Sequence, residues 1–185
     1  MGKKMNTGKS NAVELIECNE KEHAAAILAL FNDTIATSTA LYDYEPRSLS
    51  FMHGWFAAKR ERNFPVIGAV NSQGELLAFA SWGAFRDYPA NKYTVEHSVY
   101  VRNDCRRQGL ARKLMQELIV RARQADLHVL MGVIDAANDS SIALHKQLGF
   151  KHVGTLPQIG FKFGHWLDAA LYQLILDTPA QPVDG

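Results

Sequence analysis

A single α/β domain is what this sequence predicts, and three features carry the expectation. Runs rich in β-branched and aromatic residues alternate with runs of helical periodicity. At 185 residues the chain can bury one substantial core and is short for several. No internal repeat or linker composition divides it. The domain is therefore placed at 13–176, between a polar lead at 1–12 and a Pro-containing tail at 177–185 read as mobile.

The elements follow in order. VELIEC at 13–18 reads as a strand, and Asn19 then opens a helix in which Ala24, Ile27, Leu28 and Phe31 recur at helical spacing. Pro46 precedes a second helix at 47–62. The segments 64–71 and 76–85, joined by SQGE, form a β-hairpin. YTVEHSVYV at 93–101 is a strand of high β-propensity. The loop at 102–108 leads into a helix that ends near Gln124, with Leu110, Ala111, Leu114, Met115, Leu118, Ile119 and Ala122 on one face. A strand at 128–135 is followed by a helix starting at Asn138 or Asp139 and closing at Gly149. Two last strands surround a Gly-rich turn.

Composition removes several function classes. An apolar share of 47% with 21% charged residues fits a soluble globular protein. A net charge of +1 gives no support for broad nucleic-acid binding. The longest apolar run, at 24–31, is far too short to span a bilayer. The lead at 1–12 is basic and polar with no apolar signal core behind it. Cys18 and Cys105 match no metal-ligand spacing and read as reduced thiols in the cytoplasm.

One stretch breaks an electrostatic rule. RRQGLAR at 106–112 puts arginines where a helix begins, although the free N–H groups of a helix start favour negative charge. An anion docked there resolves the conflict. Gly109 and the small Ala111 would let backbone amides approach a phosphate closely, with the helix start supplying the field and the arginines charge-assisted contacts. Read by spacing alone, a plain turn with solvated arginines is an equal alternative.

The motif R-R-Q-G-L-A resembles the Q/R-x-x-G-x-G/A signature of the GNAT superfamily of acyl-CoA-dependent N-acyltransferases. N-D-S-S-I-A-L-H-K-Q-L-G-F is similar to that superfamily's second acyl-CoA helix. The order of elements over 13–176 also matches. The resemblance implies the GNAT fold, a mixed central sheet of about seven strands flanked by four helices, and acetyl-CoA as co-substrate with no metal. It assigns the pantetheine arm to main-chain groups of Val99, Tyr100 and Val101. It gives the pyrophosphate to Arg107, Gln108, Gly109, Leu110, Ala111 and Arg112, and a further coenzyme contact to Asn138, which would also serve as an N-cap.

A narrower likeness lies in TVEHSVYV, S-I-A-L-H-K-Q-L-G-F and LPQIGFKFGHWLDAALYQLIL. These resemble the phosphinothricin N-acetyltransferase family, including its branch that acetylates methionine sulfoximine and methionine sulfone. The resemblance implies a small amino-acid analogue as substrate, detoxification of glutamine-synthetase inhibitors, and a homodimer. It places substrate contacts at Arg86, Asp87, Tyr88, Glu96, His97 and Ser98, and a lid at 34–44 whose Thr39, Tyr42 and Tyr44 face the site.

The chemistry implied needs a base within reach of an ammonium and a backbone N–H facing the developing oxyanion. Family likeness puts the base on Glu96. His97 is the rival: strand alternation sends it to the core side with Val95 and Val99, unless a bulge upsets the parity. His145 stands where the superfamily often has a proton-donating tyrosine, and reads equally as packing. Two other functions stay open at this point, an acyl-CoA-binding sensor without catalysis and an acetyltransferase for a different amine.

Overall fold

The computed structural model describes residues 13–184, so the lead assigned to 1–12 lies outside the described residues. The chain runs β1 (Glu14–Glu17), α1 (Glu20–Thr37), α2 (Leu49–Glu61), β2 (Val66–Val70), β3 (Leu76–Ala84), β4 (Thr94–Val101), α3 (Leu110–Gln124), β5 (Val129–Asp135), α4 (Asp139–Gln147), β6 (Lys151–Lys162) and β7 (His165–Ile175). Seven strands form one sheet in the order β1-β2-β3-β4-β5-β7-β6. Every neighbouring pair is antiparallel except β4–β5. A parallel pair requires a crossover, and α3 supplies it.

Local chemistry explains the boundaries. Asn19 caps α1 by accepting from the Glu22 N–H at 2.9 Å, and Ser48 caps α2 by accepting from Phe51 N–H. Asn138 does the same for α4 through Ser141 N–H. The face read for α3 is the buried one, with Leu110, Leu114, Met115, Leu118, Ile119 and Ala122 inside and Ala111 half-buried. It packs on β2, β3 and β4.

Two cores result, one on each side of the sheet. The first joins Ile67, Ala80, Trp82 and Val95 to α3 and to Leu144 and Phe150 around α4. The second joins Val66, Phe79 and Tyr100 to Phe31 of α1 and Met52 and Phe56 of α2. In that second core Phe31 meets Phe79, Tyr100 and Trp55 edge-on, at centroid distances of 5.2–5.7 Å. The tail expected to be mobile is tied to the body at several points. Thr178 Oγ1 donates to Leu127 O, His128 Nδ1 donates to Thr178 O, and Val183 N–H donates to the Tyr93 hydroxyl.

One topological detail positions the site. β4 pairs with β3 without interruption from Val95 to Val101. On its other edge it pairs with β5 only at Thr94, Val95 and Glu96, while β5 continues along β7 to Asp135. Beyond Glu96 the two parallel strands part. The β5-facing main-chain groups of 97–101 are left without a strand partner, and the sheet opens into a fork.

Candidate active site

A cavity of about 270 Å³ lies in the fork. One wall is β4, with Glu96, His97, Ser98, Val99 and Tyr100; the other is β5, from Gly132 to Asp135. Asn138, Ser141 and His145 of α4 close one side, and Thr39–Tyr42, between α1 and α2, close another. The lid read at 34–44 thus contributes Thr39 and Tyr42 to the lining. Thr39 Oγ1 donates to Asp135, the last residue of β5. Tyr44 sits farther out, its hydroxyl donating to Phe161 O.

The parity of β4 is regular, since its register with β3 shows no shift. Val95 and His97 are buried on one face, and Glu96 points to the other. A notch between parting strands is open to both faces, so both candidate bases line the cavity. They differ in environment. Glu96 keeps solvent contact at the cavity, while the surrounding protein raises its carboxyl above the usual range by desolvation. His97 is buried, and burial drives its imidazole down, with the nearby His145 adding to the effect and the Met131 backbone opposing it.

His97 and His145 form a pair, rings stacked at 28° with Nε2···Nε2 at 2.8 Å. Hydrogen-bond logic assigns their tautomers. His145 Nδ1 lies 2.7 Å from Ser141 O, and a carbonyl only accepts, so that nitrogen carries the proton. Neutral His145 then presents a lone pair at Nε2, and His97 Nε2–H donates to it. His97 Nδ1 is left a bare acceptor, and it is a buried nitrogen without a partner. Both N–H groups of the pair are therefore engaged, one within it and one on Ser141 O. In this tautomer the one N–H of His145 is held by Ser141 O, and burial lowers its pKa. Gly132 makes room for the pair: a Cβ there would lie 2.9 Å from His97 Cε1 and 3.0 Å from His145 Nε2.

The suspected anion loop has the backbone such a role requires. Arg107 (φ 63°) and Gly109 (φ 79°) are both left-handed, a conformation uncommon for a non-glycine residue and concentrated at ligand clamps. Gly109 occupies the N-cap of α3 and offers no side chain to its first N–H groups, and the first turn holds no acidic residue. Space beside Gly109 is open. Arg106, Arg107, Gln108 and Gly109 are exposed, whereas Leu110 is buried and pins the turn. Arg112 donates to Gln147 and so links the start of α3 to the end of α4.

The remaining expected residues fall in three places. Val101 ends β4 without lining the cavity. Asn138 lines it while its side-chain oxygen caps α4. Arg86, Asp87 and Tyr88 lie on the exposed β3–β4 connection, outside the cavity lining, and Asp87 pairs there with Arg62 at 2.6 Å. Sequence reading did not single out Gly132, Asp135 or Ser141. A glycine inside an otherwise apolar strand was the available signal at 132.

The fork thus leaves a free edge on β4, and the start of α3 carries no side-chain cap. Comparison with known proteins gives the family. The profile of the acetyltransferase (GNAT) family matches residues 19–150. The chain is 44% identical to the L-methionine sulfoximine/L-methionine sulfone acetyltransferase of Pseudomonas paraeruginosa, over 82% of this chain and 88% of that one. It is 59% identical to a protein of Acinetobacter baylyi ADP1 of solved structure, at a TM-score of 0.93 and covering 94% and 97% of the two chains. A GNAT superfamily phosphinothricin acetyltransferase from Sinorhizobium meliloti, solved in complex with acetyl-CoA, superposes at 0.87 with 29% identity, covering 92% of each chain. The chain belongs to the acetyltransferase (GNAT) family.

Proposed function

We propose that this acetyltransferase moves the acetyl group of acetyl-CoA directly onto the α-amino group of small amino-acid analogues, namely methionine sulfoximine, methionine sulfone and L-phosphinothricin. The observation that carries the reading is the position of Glu96, at the point where β4 leaves β5 and beside the unpaired strand edge. Similarity to the sulfoximine/sulfone enzyme supplies the substrate class.

In this mechanism the coenzyme's pyrophosphate sits on the N–H groups of Arg107 to Arg112. Its pantetheine arm pairs with main-chain groups of Val99, Tyr100 and Val101, filling the strand position that β5 vacates. The thioester then lies in the fork, its carbonyl oxygen on the amide near Val99. Glu96, made more basic by desolvation, takes the ammonium proton directly or through a water. The amine attacks, the C–N bond forms, and the C–S bond breaks to release coenzyme A thiolate. His145 acts in this scheme by shaping the cavity with His97, and the sulfur takes a proton shed by the attacking nitrogen.

The acceptor's α-carboxylate needs a cation. Among the described residues the cavity lining holds the carboxylates of Glu96 and Asp135 and no Lys or Arg. We assign the task to Arg86 on the loop before β4, with Asp87, Tyr88, His97 and Ser98 around the substrate; the fork of a guanidinium suits paired oxygens. The protein is a homodimer in this reading. Val153, Leu156, Ile159 and Phe161 of β6, Phe163 of the turn after it and Trp166 of β7 are all exposed, an apolar surface of the kind monomers seldom present. Its unpaired thiols, Cys18 and Cys105, suit the cytoplasm. No helix among the described residues is long and apolar enough to cross a membrane.

The test is thiol release from acetyl-CoA with methionine sulfoximine, methionine sulfone, phosphinothricin, methionine and a lysine peptide. Turnover with the first three and none with the peptide is expected. Turnover with the peptide alone would overturn the substrate assignment, and coenzyme binding without turnover would leave a sensor.

A further inference from the structure

The fragment G-F-K-F-G at 160–164 holds a buried cation that the reaction does not use. Lys162 is 4% exposed, on the last residue of β6. Its ammonium donates to three carbonyls: Ile35 O at 2.8 Å, Ser38 O at 2.9 Å and Leu41 O at 2.6 Å. An ammonium has three N–H donors, and all three are spent. The acceptors are informative. Ile35 lies in the last turn of α1, Ser38 is its C-cap, and the helix has no basic residue of its own at that end. A helix C-terminus presents unsatisfied carbonyls and partial negative charge, and here the missing cation arrives from a strand far along the chain. Leu41 belongs to the lid and lines the cavity.

Neighbouring residues hold the same segment. Gly160, on the same strand face as Lys162, lies against the Tyr42 ring so closely that a Cβ would stand 2.7 Å from Tyr42 Cε2. Phe161 O accepts from the Tyr44 hydroxyl at 2.6 Å. The far end of the lid is tied separately: Arg47 N–H donates to Asn32 Oδ1 at 2.8 Å, and its guanidinium pairs with Asp43 at 3.0 Å.

We infer that Lys162 is a positioning residue for the acceptor side of the site: by gathering the Ile35, Ser38 and Leu41 carbonyls it fixes the Thr39–Tyr42 wall against which the amino-acid substrate is selected. This rests on the reading of the cavity as the acceptor pocket. The physical reason is selective. Removing the ammonium leaves three carbonyls near one another with nothing to bridge them, a cost that falls on the lid. Among the described residues, Lys162 makes its hydrogen bonds to Ile35, Ser38 and Leu41 and none to the coenzyme loop at 106–112.

Lys162→Met keeps the apolar stem and removes the donors. Hydrogen exchange should quicken in 38–44 by roughly tenfold or more, with exchange in α3 unchanged. Against methionine sulfoximine the acceptor KM should rise by roughly tenfold while the acetyl-CoA Kd stays within about twofold. Lys162→Arg, which retains donors, should recover part of the KM. Gly160→Ala, which pushes on Tyr42 and keeps the ammonium, repeats the test if Lys162→Met does not fold. Unchanged lid exchange overturns the inference, as does an equal loss of acetyl-CoA affinity. Exchange reads the clamp without any turnover, so failure of the wild type to acetylate the sulfoximine counts against the function alone.

Discussion

The groups that the proposed mechanism gives to the coenzyme are consecutive: residues 106–112 turn through two left-handed positions into α3, and β4 presents its own free edge. The acceptor side, in the same mechanism, is assembled from the segment after α1, the end of β5 and a lysine from β6. The first works through backbone N–H groups, which depend on a short stretch of conformation. The second works through side chains brought together over long separations, such as the His97–His145 pair, 48 residues apart, and the Lys162–Ile35 contact, 127 apart. A site divided in this way can keep one co-substrate while its other wall changes, because different segments hold the two.

That division allows predictions in which only one side fails. The largest expected effect is Glu96→Gln, which keeps shape but removes the proton acceptor. Its kcat should fall by roughly 10²–10⁴-fold, with calorimetric acetyl-CoA affinity unchanged. Loss of affinity instead would mean that Glu96 organises the strand edge.

Gly109→Val comes next. A branched residue at φ 79° is strained by about 1–2 kcal/mol and projects into the open space beside the loop. Titration with coenzyme A should show a loss of more than about tenfold, with the melting temperature lowered by only a few degrees. Full affinity would dissociate the loop from phosphate binding.

The histidine pair predicts a pH dependence of stability. Burial lowers both imidazoles from the ordinary 6.5, so below that pH the unfolded chain takes up protons that the folded chain refuses. Their contribution is present above about pH 6.5 and is lost as pH falls. His97→Gln, which can still donate to His145 Nε2, should show a shallower fall in Tm between pH 7 and pH 5. An unchanged slope would mean the pair does not titrate as described. The smallest effect expected is from Arg86→Ala, a several-fold rise in acceptor KM with acetyl-CoA KM nearly constant.

The contrast between the two walls also describes what the sequence could tell. Strands and helices followed from periodicity and from caps such as Asn19 and Asn138, because those signals are local. Gly109 and its arginines stood out because they contradict helix electrostatics within a few residues. Lys162 gave no such sign: a single lysine between two phenylalanines has no local feature that names carbonyls on α1. Glu96 and His97 were both legible as candidates, yet only the parting of β4 from β5 at Glu96 explains why residues on opposite faces of one strand reach the same cavity.

The base is tested most directly by the pH dependence of kcat/KM for methionine sulfoximine in the wild type and in Glu96→Gln. Desolvation raises the Glu96 carboxyl, so the acidic limb should lie above the ordinary glutamate value, and it should vanish in the variant along with most of the rate. An acidic limb that persists unchanged in a largely active Glu96→Gln, with His97→Asn folded but inactive, would contradict the assignment and transfer the base to His97.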